Sequence, residues 1–208
     1  MADTVYEAVL AKLLALEIRP QDRISVDGLA RDLGVSQTPL RAALTRLETQ
    51  GLVTKTHLIG YRAAPEMTES QFEQFYDARV QLEPFVTIKA ASSISPEELD
   101  RMDALLDRLL TADASSSKLL TQVARTDMEF HRAIAVSSGN LVIANILETL
   151  QAQVQFTLLR RNSLPIDVRP ATDEHRDILN ALRKRDGAGA AGLMLAHLAA
   201  SRKRYWPR

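Results

Sequence analysis

The chain has 208 residues, with 26 basic and 26 acidic side chains and no cysteine. That length suits one large domain or two small ones, and the balanced charge excludes a general polycation, so any nucleic-acid site must be local. The lack of cysteine removes disulfides, thiolate metal sites and cysteine nucleophiles, and is compatible with a reducing cytosol.

In chain order, residues 4–17 suit an amphipathic helix with Val5, Val9, Leu13 and Leu16 on one face. Asp3 and Glu7 at the N-terminus, with no basic flank before an apolar run, argue against a signal peptide. Val26 to Leu33 reads as a short second helix, with Gly34 supplying the turn. Ser36 is a suitable N-cap for a third helix, whose first turn tolerates Pro39. Leu40, Leu44 and Leu47 form its buried stripe, and Gly51 can end it in a left-handed conformation. Residues 52–56 and 61–64 read as two short strands about a turn at Gly60. Helix, turn, helix and hairpin make a winged helix-turn-helix, a device for laying one helix in the DNA major groove.

Pro65 marks the boundary, giving a head over residues 1–65 and a body over 66–208. Beyond it the pattern is helical, near 69–91, 96–112, 118–136, 141–161, 170–185 and 188–204. The fold expected is therefore mainly α, a winged helix-turn-helix followed by an all-helical bundle. Thr68 to Gln71 and Ser95 to Glu98 read as capping boxes, and Asn140 as a helix N-cap. Pro84 should kink the first of these helices. Residues 115–117, 137–140 and 162–165 are expected as loops, and Arg160 and Arg161 as surface or interface charges. The most apolar late stretch, 187–200, is too short to span a bilayer, so no membrane partner is expected.

The segment from Ser36 to Arg62 holds Arg41, Arg46, Lys55 and Arg62 against Glu48 alone. A recognition helix needs polar side chains near its N-terminus, and Ser36, Gln37, Thr38 and Arg41 stand there. Ser36 and Thr38 suit phosphate oxygens, Gln37 can pair with adenine, and Arg41 with guanine. In the wing, His57, Gly60 and Arg62 can track the backbone or the minor groove. A winged helix used for protein contacts is the bland alternative.

In the body, Asp127 and His131 lie four apart on one helical face with Ala124 and Ile134. His175 shares a face with Ile178, Leu179 and Leu182, and His197 with Met194 and Ala200. Three imidazoles and a carboxylate on core-facing stripes can converge on a divalent ion such as Zn, Mn, Ni or Fe. Hydrogen-bonded core histidines are the alternative. Glu129 and Glu174 are expected to face away from these positions. Arg79 can pair with a ligand carboxylate or with Glu83, four residues on.

The stretch Leu29-Ala-Arg-Asp-Leu-Gly-Val-Ser-Gln-Thr-Pro-Leu-Arg-Ala-Ala-Leu-Thr-Arg-Leu-Glu-Thr-Gln-Gly-Leu52 resembles the signature of the GntR family of bacterial transcription regulators. Tyr76-Asp-Ala-Arg-Val-Gln-Leu-Glu83, Asp127-Met-Glu-Phe-His131, Glu174-His-Arg-Asp-Ile178 and Met194-Leu-Ala-His197 resemble the FCD effector domain of its FadR-type branch. The resemblance implies operator contacts by Ser36, Gln37, Thr38, Arg41 and Gly60, and Arg46 completes the DNA-contact candidates. Position 37 is commonly arginine in that family; glutamine here removes a cation and favours adenine over guanine. The resemblance also implies a divalent cation on Asp127, His131, His175 and His197, and a small organic acid reaching the metal and Arg79. The expected protein is a cytoplasmic, homodimeric regulator of palindromic operator DNA, most simply a repressor released by its ligand, and not an enzyme. A sensor of the metal ion itself and a metal-dependent hydrolase are the rival readings.

Overall fold

A computed structural model describes residues 2–113, 119–161 and 167–206, without the side chains of 2, 155, 158–161 and 205. The loops expected at 115–117 and 162–165, and the side chains of Arg160 and Arg161, lie outside the described residues. The elements are α1 (Ala2–Leu14), β1 (Arg23–Ile24), α2 (Val26–Leu33), α3 (Gln37–Thr49), β2 (Val53–Thr56), β3 (Gly60–Ala63), α4 (Glu69–Ser93), α5 (Pro96–Leu110), α6 (Leu119–Ser137), α7 (Leu141–Arg161), α8 (Arg169–Arg183) and α9 (Gly187–Tyr205). The fold is mainly α, as expected. Two compact units divide the chain: Met1–Met67 with Ala152–Arg160, and Thr68–Gln151 with Arg161–Arg208. The division drawn from sequence at residue 65 lies two residues earlier and gives 152–160 to the body, because an unbroken helical pattern carries no mark of a unit boundary.

In the first unit, α1 packs on α3, and α2 on α3. Ser25 caps α2 by accepting from the Gly28 amide at 3.1 Å. Gly34 ends that helix at φ 65°, a left-handed conformation that a Cβ would oppose. Leu40, Ala43, Leu44 and Leu47 are the buried stripe of α3. Ser36 sits at the N-cap position, but its side chain makes no cap hydrogen bond. The wing is a three-stranded antiparallel sheet in the order β1-β3-β2. Strand β1 was not foreseen, since two residues carry no periodicity. The turn occupies residues 57–59 and Gly60 closes it as the first residue of β3; Leu58 at φ 64° and Gly60 at φ 98° both take positive φ.

In the second unit, α4 packs against α9 and α6, α8 against α9, and α5 against α6 and α8. Thr68 and Gln71 form the full reciprocal capping box on α4. At Ser95 only half of the box forms: its hydroxyl accepts from Glu98, whose carboxylate turns to Arg101 instead. Helix α4 continues through Pro84. Asn140 caps α7 by accepting from the Ile143 amide at 3.1 Å. Gly187 lets the start of α9 approach α4 closely, because a Cβ there would meet the Ile88 carbonyl oxygen at 3.1 Å. The core of this unit joins Ile94, Met102, Leu106, Phe130, Ile134, Leu179, Leu182, Met194 and Leu198.

Met102 is fully buried in that core, whereas Leu58 at the wing tip is 93% exposed. Met102→Ala is expected to lower stability by about 2–5 kcal/mol in denaturant titration. Leu58→Ala should stay within about 0.5 kcal/mol of the parent.

Candidate metal centre and nucleic-acid interface

Helix α6 places Asp127 and His131 one turn apart, beside the buried Phe130 and Ile134. Helix α8 brings in His175 from the stripe that buries Ile178, Leu179 and Leu182. Helix α9 brings in His197 between Met194 and Leu198, both buried. Burial of the apolar neighbours therefore aims all four polar side chains inward. Each offers one ligand atom, and these atoms lie within 4.8 Å of one another. His175 Nε2 is 3.2 Å from His197 Nε2 and 3.5 Å from Asp127 Oδ1. His131 Nε2 is 3.7 Å from that same oxygen. Two ligands of one tetrahedral ion with metal–nitrogen bonds of about 2.0–2.1 Å stand about 3.3 Å apart. The three separations of 3.2, 3.5 and 3.7 Å lie near that value, so the cluster could hold a metal ion.

Behind the imidazoles stand two carboxylates. Glu174 Oε2 lies 2.7 Å from His197 Nδ1, and both its oxygens also accept from Arg204, at 2.6 and 2.7 Å. Glu83 Oε1 accepts from Arg79 Nε at 2.5 Å. Its other oxygen lies 2.6 Å from His131 Nδ1, so one carboxylate faces both groups. A carboxylate behind Nδ1 fixes the ring so that Nε2 faces the ligand position, the usual support of a metal-binding histidine. Phe130 stacks on His175 with centroids 4.0 Å apart, holding that ring from the apolar side.

The charges answer one another. Burial pulls the His131 imidazole down, but Glu83 and Asp127 outweigh it and hold it at about 9. Burial raises Glu83, and the opposing pull of Arg79 and His131 brings it to about 2. Asp127 is held far below the usual carboxylate range, since His131 and His175 outweigh its burial. Glu174 reaches about 2, its partial burial overcome by Arg204 and His197. Burial pushes His175 well below its ordinary value, with His197 adding to the effect. Burial also lowers His197, against the hydrogen bond it donates to Glu174.

Arg79 makes the ion pair with Glu83 and also points at the cluster, its Nη2 3.4 Å from His131 Nε2. The expected pairing with Glu83 is present, and the remaining guanidinium nitrogens face the cluster. Glu174 was expected to face away and does not. Successive helical residues point about 100° apart, so a neighbour of His175 can reach the flank where α9 lies. Glu129 is half exposed and pairs with Arg101. The link from Glu83 to His131 joins two helices, and no local spacing announces it.

In the first unit, Ser36, Gln37, Thr38, Arg41 and Arg46 are all exposed on α3. Gln37 Nε2 donates to Asp27 Oδ1 on α2, and Arg41 Nη2 donates to Gln37 Oε1 at 3.2 Å. Arg46 donates to Asp3 at 3.2 Å and lies over the Tyr6 ring. Exposed Arg62 donates to the Gln21 carbonyl oxygen at 2.9 Å.

These two units define a helix-turn-helix transcription regulator with a separate helical domain. Residues 1–62 match the model of the bacterial regulatory proteins of the gntR family, and residues 74–200 match the FCD domain. The chain belongs to the GntR family of transcription regulators, in its FCD-containing branch. It is 30% identical over 187 residues to the HTH-type transcriptional repressor GlaR of Escherichia coli, covering 86% of this chain and 84% of that protein. It is 28% identical over 205 residues to the HTH-type transcriptional regulator LutR of Bacillus subtilis, covering 88% and 90%. Among solved structures, E. coli McbR/YncC shares the fold with TM-score 0.78 at 22% identity, covering 96% of this chain and 94% of that one. Its relatives are transcription regulators rather than enzymes. No helix among the described residues is long and apolar enough to cross a membrane.

The shifts give opposite histidine behaviour in metal-free protein. Protonated His131 contributes stability that is complete below its unfolded value of 6.5 and is lost as pH rises through about 9. His175 and His197 are depressed, so their contribution is present above 6.5 and is lost as pH falls toward their folded values. Histidine NMR titration of chelator-treated protein should show one buried ring changing state near pH 9, with the other two neutral throughout pH 7–9.

Proposed function

We propose that this regulator is switched by a small organic acid bound at a divalent metal in the helical unit. Asp127, His131, His175 and His197 would hold the ion, which supplies a Lewis-acidic anchor for a carboxylate. The observation that carries this reading is the convergence of four buried donors, with carboxylates set behind two of the imidazoles. Charge supports an anionic ligand. Asp127, Glu83 and Glu174 are answered by Arg79 and Arg204. With neutral imidazoles, a divalent ion leaves one positive charge in excess, which suits a monocarboxylate. Arg79, already aimed at the cluster, is the protein group that would meet it.

The protein acts as a cytoplasmic homodimer on palindromic operator DNA, and the acid releases repression. Phe85 and Ile88 on α4, and Leu141, Val142 and Ile146 on α7, are large exposed apolar side chains. They supply the apolar surface that a two-fold interface covers. The polar N-terminal turn of α3, with Ser36, Gln37, Thr38 and Arg41, and the wing at Gly60 supply the DNA contacts. Ligand binding resets operator affinity only if the two arrangements of the dimer bind the acid differently.

Thermal unfolding tests the sensing half. Purified protein is heated against a panel of small carboxylic acids, before and after chelation. Chelation is expected to lower the midpoint, and one acid should raise it only in metal-loaded protein, the gain in stability being about 2.7 kcal/mol at a hundredfold excess over Kd. His175→Ala should abolish both responses. If neither chelator nor any acid shifts the midpoint, the histidines are core residues and the sensing half fails. If metal alone changes operator affinity with no acid present, the ion is the effector.

Salt titration of duplex binding tests the other half. Arg41→Ala should weaken binding and, where Arg41 neutralises a phosphate, reduce the slope of log K against log salt by about 1. Binding that ignores both salt and the substitution would exclude a DNA role for α3.

A further inference from the structure

On the premise that the head binds operator DNA, we propose that Asp27 and Gln37 are positioning residues for Arg41. Gln37 is then no reader of adenine. The observation is a chain of three exposed side chains across the helix-turn-helix. Gln37 donates from Nε2 to Asp27 Oδ1, and its Oε1 accepts from Arg41 Nη2 at 3.2 Å.

A glutamine amide can present either end outward. An ionised carboxylate only accepts, and a guanidinium only donates. Asp27 therefore takes the NH₂ end and Arg41 the oxygen end, leaving the amide one orientation. Reading adenine needs both ends, the NH₂ for N7 and the oxygen for the N6 amino group. Each end already holds one bond here, which fixes the plane of the amide and leaves it one N–H and one lone pair. Arg41 spends one N–H on Gln37 and keeps four, enough to fork onto guanine O6 and N7.

The backbone fixes the distance this chain spans. Asp27 lies in the first turn of α2, where an acidic group also suits the helix dipole. Gln37 opens α3, and between the helices the Val35 amide donates to the Ala30 carbonyl oxygen at 3.0 Å. Asp27, Ala30, Gly34, Ser36 and Gln37 line one open groove between the two helices. Glutamine at position 37 is thus a neutral link that aims Arg41.

Selection from a random-core duplex library, with quantitative affinities for each base substitution, tests this in the full-length protein. Arg41→Ala should erase preference at one guanine of the half-site, by roughly 5- to 150-fold. Asp27→Ala and Gln37→Ala should relax that same guanine by about two- to tenfold, with no adenine position lost. Asp27→Asn keeps an acceptor oxygen and should retain the preference. Circular dichroism and the unfolding midpoint establish that each variant is folded. The proposal is overturned if Gln37→Ala loses an adenine while the guanine stands, or if Asp27→Ala changes no position. A folded parent that enriches no sequence overturns it together with its DNA-binding premise, which separates that failure from the first two.

Discussion

Glu83 stands between Arg79 and His131, and the arrangement of the helical unit's polar core depends on it. All three side chains are almost wholly buried. A charge removed from water costs several kcal/mol unless partners answer it. Here Arg79 and His131 each face one oxygen of the same carboxylate. Removing Glu83 would leave a guanidinium without its ion-pair partner and an imidazole with nothing behind its ring. The same division of labour recurs on the other side, where Glu174 joins His197 to Arg204. Carboxylates and cations balance in the metal-free core, because His131 carries a proton at neutral pH.

Much of this was legible in helical periodicity. Asp127 and His131 declare one face by spacing, and His175 and His197 declare theirs by apolar neighbours. Periodicity tells which side of a helix is buried, and a buried polar residue must then find partners inside. It does not tell which partners. The contact of Glu83 with His131 runs from α4 to α6, and that of Glu174 with His197 from α8 to α9. Both depend on helix packing, which no single stripe encodes. Strand β1 leaves no mark in the sequence for a simpler reason: two residues cannot show an alternation of period two.

The first unit obeys other limits. Its polar groups on α3 are exposed, so their mutual bonds add little to stability. Their value lies in orientation. Ser36 stands at the N-cap of α3 without bonding the helix. Its hydroxyl is not committed to capping, and the amides of the first helical turn face the same end. Both suit a phosphate oxygen at the positive end of a helix dipole.

The two units share one chemical device under opposite conditions. Amides and imidazoles are ambivalent, since each can turn over and exchange donor for acceptor. A carboxylate removes that choice: Asp27 for Gln37, Glu83 for His131, Glu174 for His197. In the buried cluster the carboxylates also need counter-cations, which is why Arg79 and Arg204 come with them. At the exposed helix turn no counter-cation is required, because water screens Asp27. The same exposure lets water compete for the Asp27 link, whereas the links at the cluster can be broken only by disturbing the core. Orientation at α3 is thus open to change by single substitutions, while orientation at the cluster is tied to the stability of the fold.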